Sequence, residues 1–332
     1  MARTIETWAG RAAVGPGLVP LPGGASPGEL LHHLRGHRLA PRVGARLVRG
    51  EIEAPAGEAG GRLAGQLVHD HRRCLAEESL FTEVLAELGK HLSSAGIRAV
   101  LLKGSDLATR VYGPGERPRN DIDLLVGRDD LPRLEQVLPA AGFAPDHPAR
   151  ARARAAWFAE TWRHRRWPRV QLDLHWDLAR PGRARWDPGE LLARAEPVPG
   201  MPWLRRLERH DLACHLALHA VAFHGAFGRH AWWLDLHLLF PSLDRERLAR
   251  RARETGAGTA LAVARARVGE LFGGGAVPAR GRAGAILRLA RRWEGRGDAR
   301  AGRWLVAALA VDPPWGLALV AADVARRVLR GP

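Results

Sequence analysis

Two short apolar runs, held apart by a turn-rich stretch, constrain this chain more than any other feature. The first ends Leu101-Leu102-Lys103-Gly104-Ser105, and fifteen residues after Ser105 the second begins, Asn120-Asp121-Ile122-Asp123-Leu124-Leu125-Val126. Both read as buried strands. The first closes on a small turn where backbone N–H groups and a hydroxyl can approach an anion. The second carries carboxylates at i and i+2, which strand geometry places on one face. Two such groups side by side repel each other unless a cation lies between them. An anion-sized turn beside a carboxylate pair suits a Mg²⁺–nucleotide complex.

Composition sets limits on this reading. With 332 residues and 46% apolar content the chain has enough material for a core with helical additions, and it is not a disordered sequence. The formal charge of +16 favours an anionic ligand. Of 51 basic residues only Lys90 and Lys103 are lysine, so much of the arginine reflects a bias toward Ala, Gly, Arg and Pro; nucleic acid is an alternative partner that is not favoured. Cys74 and Cys214 are far apart and lack metal-ligand spacing, so no disulfide framework is expected and a cytoplasmic setting is. The first residues lack the apolar core of a signal peptide. Asp312-Pro313-Pro314 interrupts the apolar run from Trp304 to Val324, which reads as two short helices, the second closed by Arg326, Arg327 and Arg330, rather than as a membrane span.

Helical periodicity dominates from about residue 27 to 95, with Leu30, Leu31 and Leu34 on one face and a stripe at Phe81, Val84, Leu85, Leu88 and Leu92. The segment from Ala54 to Gly61 reads as a loop between helices. After the second strand, Asp129 or Asp130 is a plausible N-cap, with Pro132 in the first turn of a helix running to Gly142. Val170-Gln171-Leu172-Asp173-Leu174-His175-Trp176 alternates as a third strand, with Gln171, Asp173 and His175 on one side. From about Leu204 the chain reads helical. The expected architecture is α+β, a small mixed β-sheet core flanked by helical regions. The expected divisions are an N-terminal helical region (1–80), the core (81–200) and a C-terminal helical domain (201–332).

Gly-Ser, an Asp-hydrophobic-Asp strand and a third acidic residue on a later strand resemble the polymerase-β-like nucleotidyltransferase superfamily. More narrowly, the chain resembles a bacterial family of uncharacterised nucleotidyltransferases. The resemblance rests on Leu102-Lys103-Gly104, Tyr112, Arg117-Pro118, Asp121–Val126, Gly142-Phe143 and Asp173-Leu174-His175-Trp176, with His219 and Trp233-Leu234-Asp235 echoing it in the helical part. It implies an enzyme that moves an NMP from an NTP, ATP by default, to a small-molecule, peptide or protein acceptor, releasing pyrophosphate. Asp121 and Asp123 would hold Mg²⁺ (two ions, with Mn²⁺ an alternative), and Asp173 would complete the second metal position and help deprotonate the acceptor. Gly104 would admit the triphosphate, and Ser105 would bind its outer oxygens. Lys103 either touches phosphate or pairs with an acidic residue, and Arg117 either reaches phosphate or orients its loop.

The remaining candidates carry two readings each. His175 is near the metal or contacts the acceptor, or is a packed strand-end histidine. Tyr112 and Asp235 line the acceptor side or pack. His215 and His219 have an i, i+4 spacing that can bind Zn²⁺, but a helix-packing pair is preferred. The Arg152–Arg169 run with Trp157, Trp162 and Trp167 stacks on bases or is a solvated edge. Two other functions stay open, a non-catalytic nucleotide-sensing module and a protein that binds or modifies RNA.

Overall fold

The computed structural model describes residues 2–15, 17, 24–146, 158–179, 183–226, 228–273, 279–293 and 300–312. Four helices lead: α1 (Ala2–Val14), α2 (Pro27–Gly36), α3 (Ala40–Val48) and α4 (Gly57–Ser94). Ser26 starts α2 with a capping box closed by Glu29, and Pro27 opens its first turn. The segment expected as a loop over 54–61 ends early, because Gly57 adopts φ +82° and begins α4. That helix then runs 38 residues, straight through the expected boundary at residue 80.

The core follows as β1 (Ala99–Leu101), α5 (Lys103–Arg110), β2 (Asp121–Val126), α6 (Leu131–Ala140), β3 (Phe143–Pro145), β4 (Ala159–His164), β5 (Gln171–His175), α7 (Pro188–Arg194), β6 (Glu196–Val198) and β7 (Met201–Arg206). These strands form one seven-stranded mixed sheet in the order β3-β4-β5-β2-β1-β7-β6. The α+β reading with a mixed sheet holds, but three strands were legible where seven pair. β3 and β6 have three residues each, too few to show a period. β7 contains Pro202 and pairs in parallel with β1 across the whole core, so the sheet extends past residue 200. β4 lies within the Arg152–Arg169 run, for which the sequence suggested no strand.

The C-terminal part is helical as expected: α8 (Arg209–Leu218), a π-helical turn (His219–Phe223), α9 (His230–Leu239), α10 (Arg245–Thr255), α11 (Gly258–Phe272), α12 (Gly281–Trp293) and α13 (Arg300–Ala310). The second helix expected after Pro314, with Arg326, Arg327 and Arg330, lies outside the described residues. Among the described residues no helix is long and apolar enough to cross a membrane.

Strand alternation sorts the sheet into two faces. Ile122, Leu124, Val126, Leu172 and Leu174 pack with Leu85, Leu88 and Leu92 of α4 and with Leu134 and Leu138 of α6. Val100, Leu102 and Leu125 face the other way, into a core shared with α8, α9 and α11. Asp121 and Asp123 alternate with the first set, so they share the face of Leu125 and look toward the C-terminal helices. A third core joins α1 to α4, and Leu234 of α9 enters it.

Candidate active site

β2 and β5 run parallel with Asp123 directly opposite Asp173, and β4 places Thr161 opposite Asp173 in turn. Three adjacent strands thus lay Asp123, Asp173 and Thr161 in one row. Asp121 lies two residues from Asp123 on the same face. The structure brings together the three carboxylates that sequence spacing selected, and their surroundings differ. Asp121 is pushed up to about 6, chiefly by burial and then by its neighbour Asp123. Asp123 is almost fully buried, which alone would raise its pKa, but the Lys103 ammonium and His175 outweigh burial and hold it well below the usual carboxylate range.

Asp123 Oδ1 accepts from Lys103 Nζ at 2.5 Å and meets His175 Nε2 at 3.0 Å. Asp173 Oδ1 accepts from Thr161 Oγ1 at 2.8 Å and Gln171 Nε2 at 3.3 Å. The three carboxylates therefore do not converge on one point: each of the two opposed groups is turned to protein donors. Their donor set nevertheless fits a hard divalent cation, being all oxygen, mutually repelling and carried on adjacent strands. The charge on Lys103 does part of the balancing that such a cation would do.

Lys103 pairs with Asp123, one of the two alternatives the sequence left open. Its φ of +45° is a left-handed value at a non-glycine residue, a strain of about 1–3 kcal/mol that persists only where surroundings impose it. Here the Leu102 N–H donates to Asp123 O at 3.0 Å, and the side chain is anchored on the same residue. The turn expected at Lys103-Gly104-Ser105 is the first turn of α5, which has no side-chain cap. Uncapped N–H groups at a helix start attract anions. A Cβ on Gly104 would touch only Arg119 Cγ, at an ordinary 3.5 Å, so packing does not require glycine there. Ser105 is buried, and its Oγ has no partner.

Arg117, Tyr112 and Asp235 form a separate buried cluster. Arg117 donates from Nε and Nη2 to the two Asp235 oxygens at 2.7 and 2.8 Å, and from Nη1 to Pro118 O at 2.8 Å. Tyr112 Oη donates to Asp235 Oδ1 at 2.7 Å, and burial, reinforced by Asp235, keeps the phenol well above its ordinary range. Arg117 thereby acts on its loop, tying the approach to β2 onto α9. The N-terminal helices grip the same loop. Gly115 N donates to Glu78 of α4 at 2.6 Å, and Glu116 pairs with Arg42 and Arg49 around α3. Gly115 has φ +69°, and a Cβ there would lie 2.8 Å from Leu75 Cβ, so only glycine fits.

The buried His215 ring and the half-buried His219 ring have centroids 6.3 Å apart and are nearly perpendicular. Burial first, and Lys103 next, hold both well below the ordinary histidine value. Among the described residues they join no group of three metal-ligating side chains. Sequence reasoning missed what surrounds them. His219 meets Phe223, His224 and Trp232 at centroid distances of 6.2, 4.6 and 5.3 Å, and Phe158 bridges Phe223 and His175 at 6.5 and 5.8 Å. These half-buried rings make an aromatic wall next to the carboxylates. The π-helical turn that builds it leaves no local sequence mark, although such turns often occur at functional sites.

Among its described residues, the Arg/Trp run does not present a row of stacking rings. Trp162 is in the core, Arg163 pairs with Asp146 at 3.0 Å, and Trp167 is exposed with the Arg166 guanidinium 4.9 Å from its ring centroid. Arg152 and Trp157 lie outside the described residues.

A family model described as an uncharacterised nucleotidyltransferase matches residues 24–273. No curated protein matches the chain. Among solved structures, the antibiotic-resistance factor ANT(2'')-Ia, seen in solution, is similar at 14% identity and a TM-score of 0.39, over 53% of this chain and 94% of that one.

Proposed function

The chain belongs to the uncharacterised nucleotidyltransferase family and is thus an enzyme of nucleotidyl transfer; from that premise we propose that it moves an NMP from an NTP, ATP by default, onto a hydroxyl-bearing acceptor at the Asp121–Asp123–Asp173 face. The observation that carries this reading is the register of β2 on β5, which sets Asp123 against Asp173 with Asp121 on the same face, alongside the uncapped start of α5.

The oxygen-rich set Asp121, Asp123 and Asp173 would hold Mg²⁺, two ions or Mn²⁺ in its place, which would neutralise phosphate charge and lower the barrier to displacement at the α-phosphorus. The N–H groups at the start of α5 would receive the outer phosphates, with Gly104 letting them come close. Lys103, released from Asp123 as that carboxylate takes a cation, would turn its ammonium to the phosphates. Asp173 would take the acceptor's hydroxyl proton, its orientation set by Thr161 and Gln171. The aromatic wall of Phe158, Phe223, His219, His224 and Trp232 is suited to stack on the base or a planar acceptor.

The test is incubation of the full chain with α-labelled NTPs, Mg²⁺ or Mn²⁺ and a cell extract, followed by analysis of labelled products. Transfer of label that disappears in both Asp121→Ala and Asp123→Ala is the expected result. Label transfer that survives either substitution in a folded protein would sink the site assignment.

A further inference from the structure

Far along the chain from the carboxylates, three histidines from two helices converge. His33 lies in α2, His37 immediately follows it, and His230 opens α9. One ligand atom from each falls within 4.8 Å of the others, the only such trio among the described residues. The His37 and His230 rings stack with centroids 3.7 Å apart, and His33 lies 4.3 Å from His37 and 5.2 Å from His230. Glu6 of α1 joins them, its Oε1 3.6 Å from His230 Nε2.

We propose that His33, His37, His230 and Glu6 form a binding site for a transition-metal ion of the Zn²⁺ class, which clasps α1 and α2 to the start of α9. The site is independent of the nucleotidyl-transfer reading.

Four observations carry it. The ligand set is three imidazoles and one carboxylate, which suits Zn²⁺ and not Mg²⁺. The second is convergence: one ring nitrogen of each histidine lies within 4.8 Å of the other two.

The third observation is what packing alone leaves unexplained. His33 Nε2 is buried with no hydrogen-bond partner, and His230 Nε2, in a residue 1% exposed, has only Glu6 Oε1 at 3.6 Å, beyond hydrogen-bond distance. A buried polar nitrogen left unmatched is costly, and a metal would satisfy both. The fourth is preorganisation. The backbone N–H of His230 donates to His37 Nδ1 at 3.3 Å and that of Ala231 to His37 O at 3.1 Å, so the end of α2 and the start of α9 are already pinned. Donor atoms around a tetrahedral zinc lie roughly 3.3–3.4 Å apart. The Glu6–His230 spacing is close to that, and the stacked His37 and His230 rings would have to turn out of their stack to aim a nitrogen each at one ion. Arg267, 3.5 Å from the same Glu6 oxygen, would remain as the partner that orients the carboxylate.

The clasp would have a structural consequence. α9 also carries Asp235, the acceptor for Arg117 and Tyr112, so a metal here would stabilise the helix that holds the loop before β2.

The test uses the full chain without a histidine tag, stripped with chelator and titrated with Co²⁺ alone, then with Zn²⁺ in competition. The expected result is the intense visible absorption of tetrahedral Co²⁺, saturating at a single equivalent and displaced by Zn²⁺. A rise in Tm with Zn²⁺ should accompany it. Both should be lost in His33→Gln and in His230→Gln and retained in Asp121→Asn. If burial of His230 makes its variant fold poorly, His33→Gln, a half-buried position, decides alone. Only the weak absorption of octahedral Co²⁺, or tetrahedral binding that persists in His33→Gln, would overturn the proposal.

Discussion

Lys103 Nζ and Asp123 Oδ1 stand 2.5 Å apart in the middle of the carboxylate face, and Lys103 holds a left-handed backbone angle to reach it. A lysine in that place both stabilises the fold and competes with any cation that Asp123 is to bind. Removing one partner of a buried pair leaves the other charge uncompensated.

Lys103→Ala should therefore destabilise the metal-free protein, by about 3 kcal/mol, with Mg²⁺ restoring part of the loss. Its KM for NTP should rise as well. Thermal melts with and without Mg²⁺ check this. An equal loss under both conditions would show that lysine and metal do not share Asp123.

Asp121 gives a pH signature. Its folded pKa is raised from 3.8 to about 6, so between those values the folded chain binds more protons than the unfolded one. Stability contributed by this group accordingly falls as pH rises through that window. Asp121→Asn removes the effect. It should gain about 1–3 kcal/mol near pH 8 and almost nothing near pH 4, while turnover is abolished. Chemical denaturation at the two pH values measures the difference, and a gain that is the same at both would refute the shift. In the wild type, metal-dependent activity should drop as pH falls below about 6, because Asp121 must lose its proton to bind a cation.

Gly104→Ala should leave the stability within about 0.5 kcal/mol of the wild type, since the added Cβ meets only Arg119 Cγ at 3.5 Å. NTP binding should weaken about tenfold or more if phosphate approaches this turn. Isothermal titration with a non-hydrolysable NTP reads it directly. Unchanged affinity would remove the start of α5 from the nucleotide site.

Asp173→Asn keeps the shape of the side chain and loses its basicity. Its kcat should fall by about 10²–10⁴ with a much smaller change in NTP affinity. A parallel loss of both would assign Asp173 to binding rather than proton transfer. Thr161→Val, which removes the hydroxyl donating to Asp173 at 2.8 Å, should reproduce a milder form of the same kcat defect.

The carboxylate face was legible because its signals are local. Asp121 and Asp123 sit two apart within β2, and Asp173 and His175 two apart within β5, so the strand period alone assigns each pair a face. Helical stripes such as Phe81 to Leu92 were legible for the same reason, at a different period. The three-residue strands β3 and β6 carry too few residues for a period, and β7 is held as a strand by its pairing with β1 and β6. Boundaries at residues 80 and 200 were invisible as continuities: α4 runs across one, and the β6–β7 hairpin spans the other.

Side-chain partners were beyond local reading. Arg117 is 118 residues from the Asp235 it binds, and Thr161 belongs to a strand without a periodic mark. Nothing in the spacing of His33, His37 and His230 suggests a trio, because 193 residues separate the last two. By itself the sequence determined which residue types occupy which faces of each element, since backbone geometry repeats at a fixed period. The tertiary structure alone decided which of those faces meet, because that depends on contacts between segments with no shared local pattern. It turned Lys103 to Asp123, Arg117 to Asp235, and three scattered histidines toward one another.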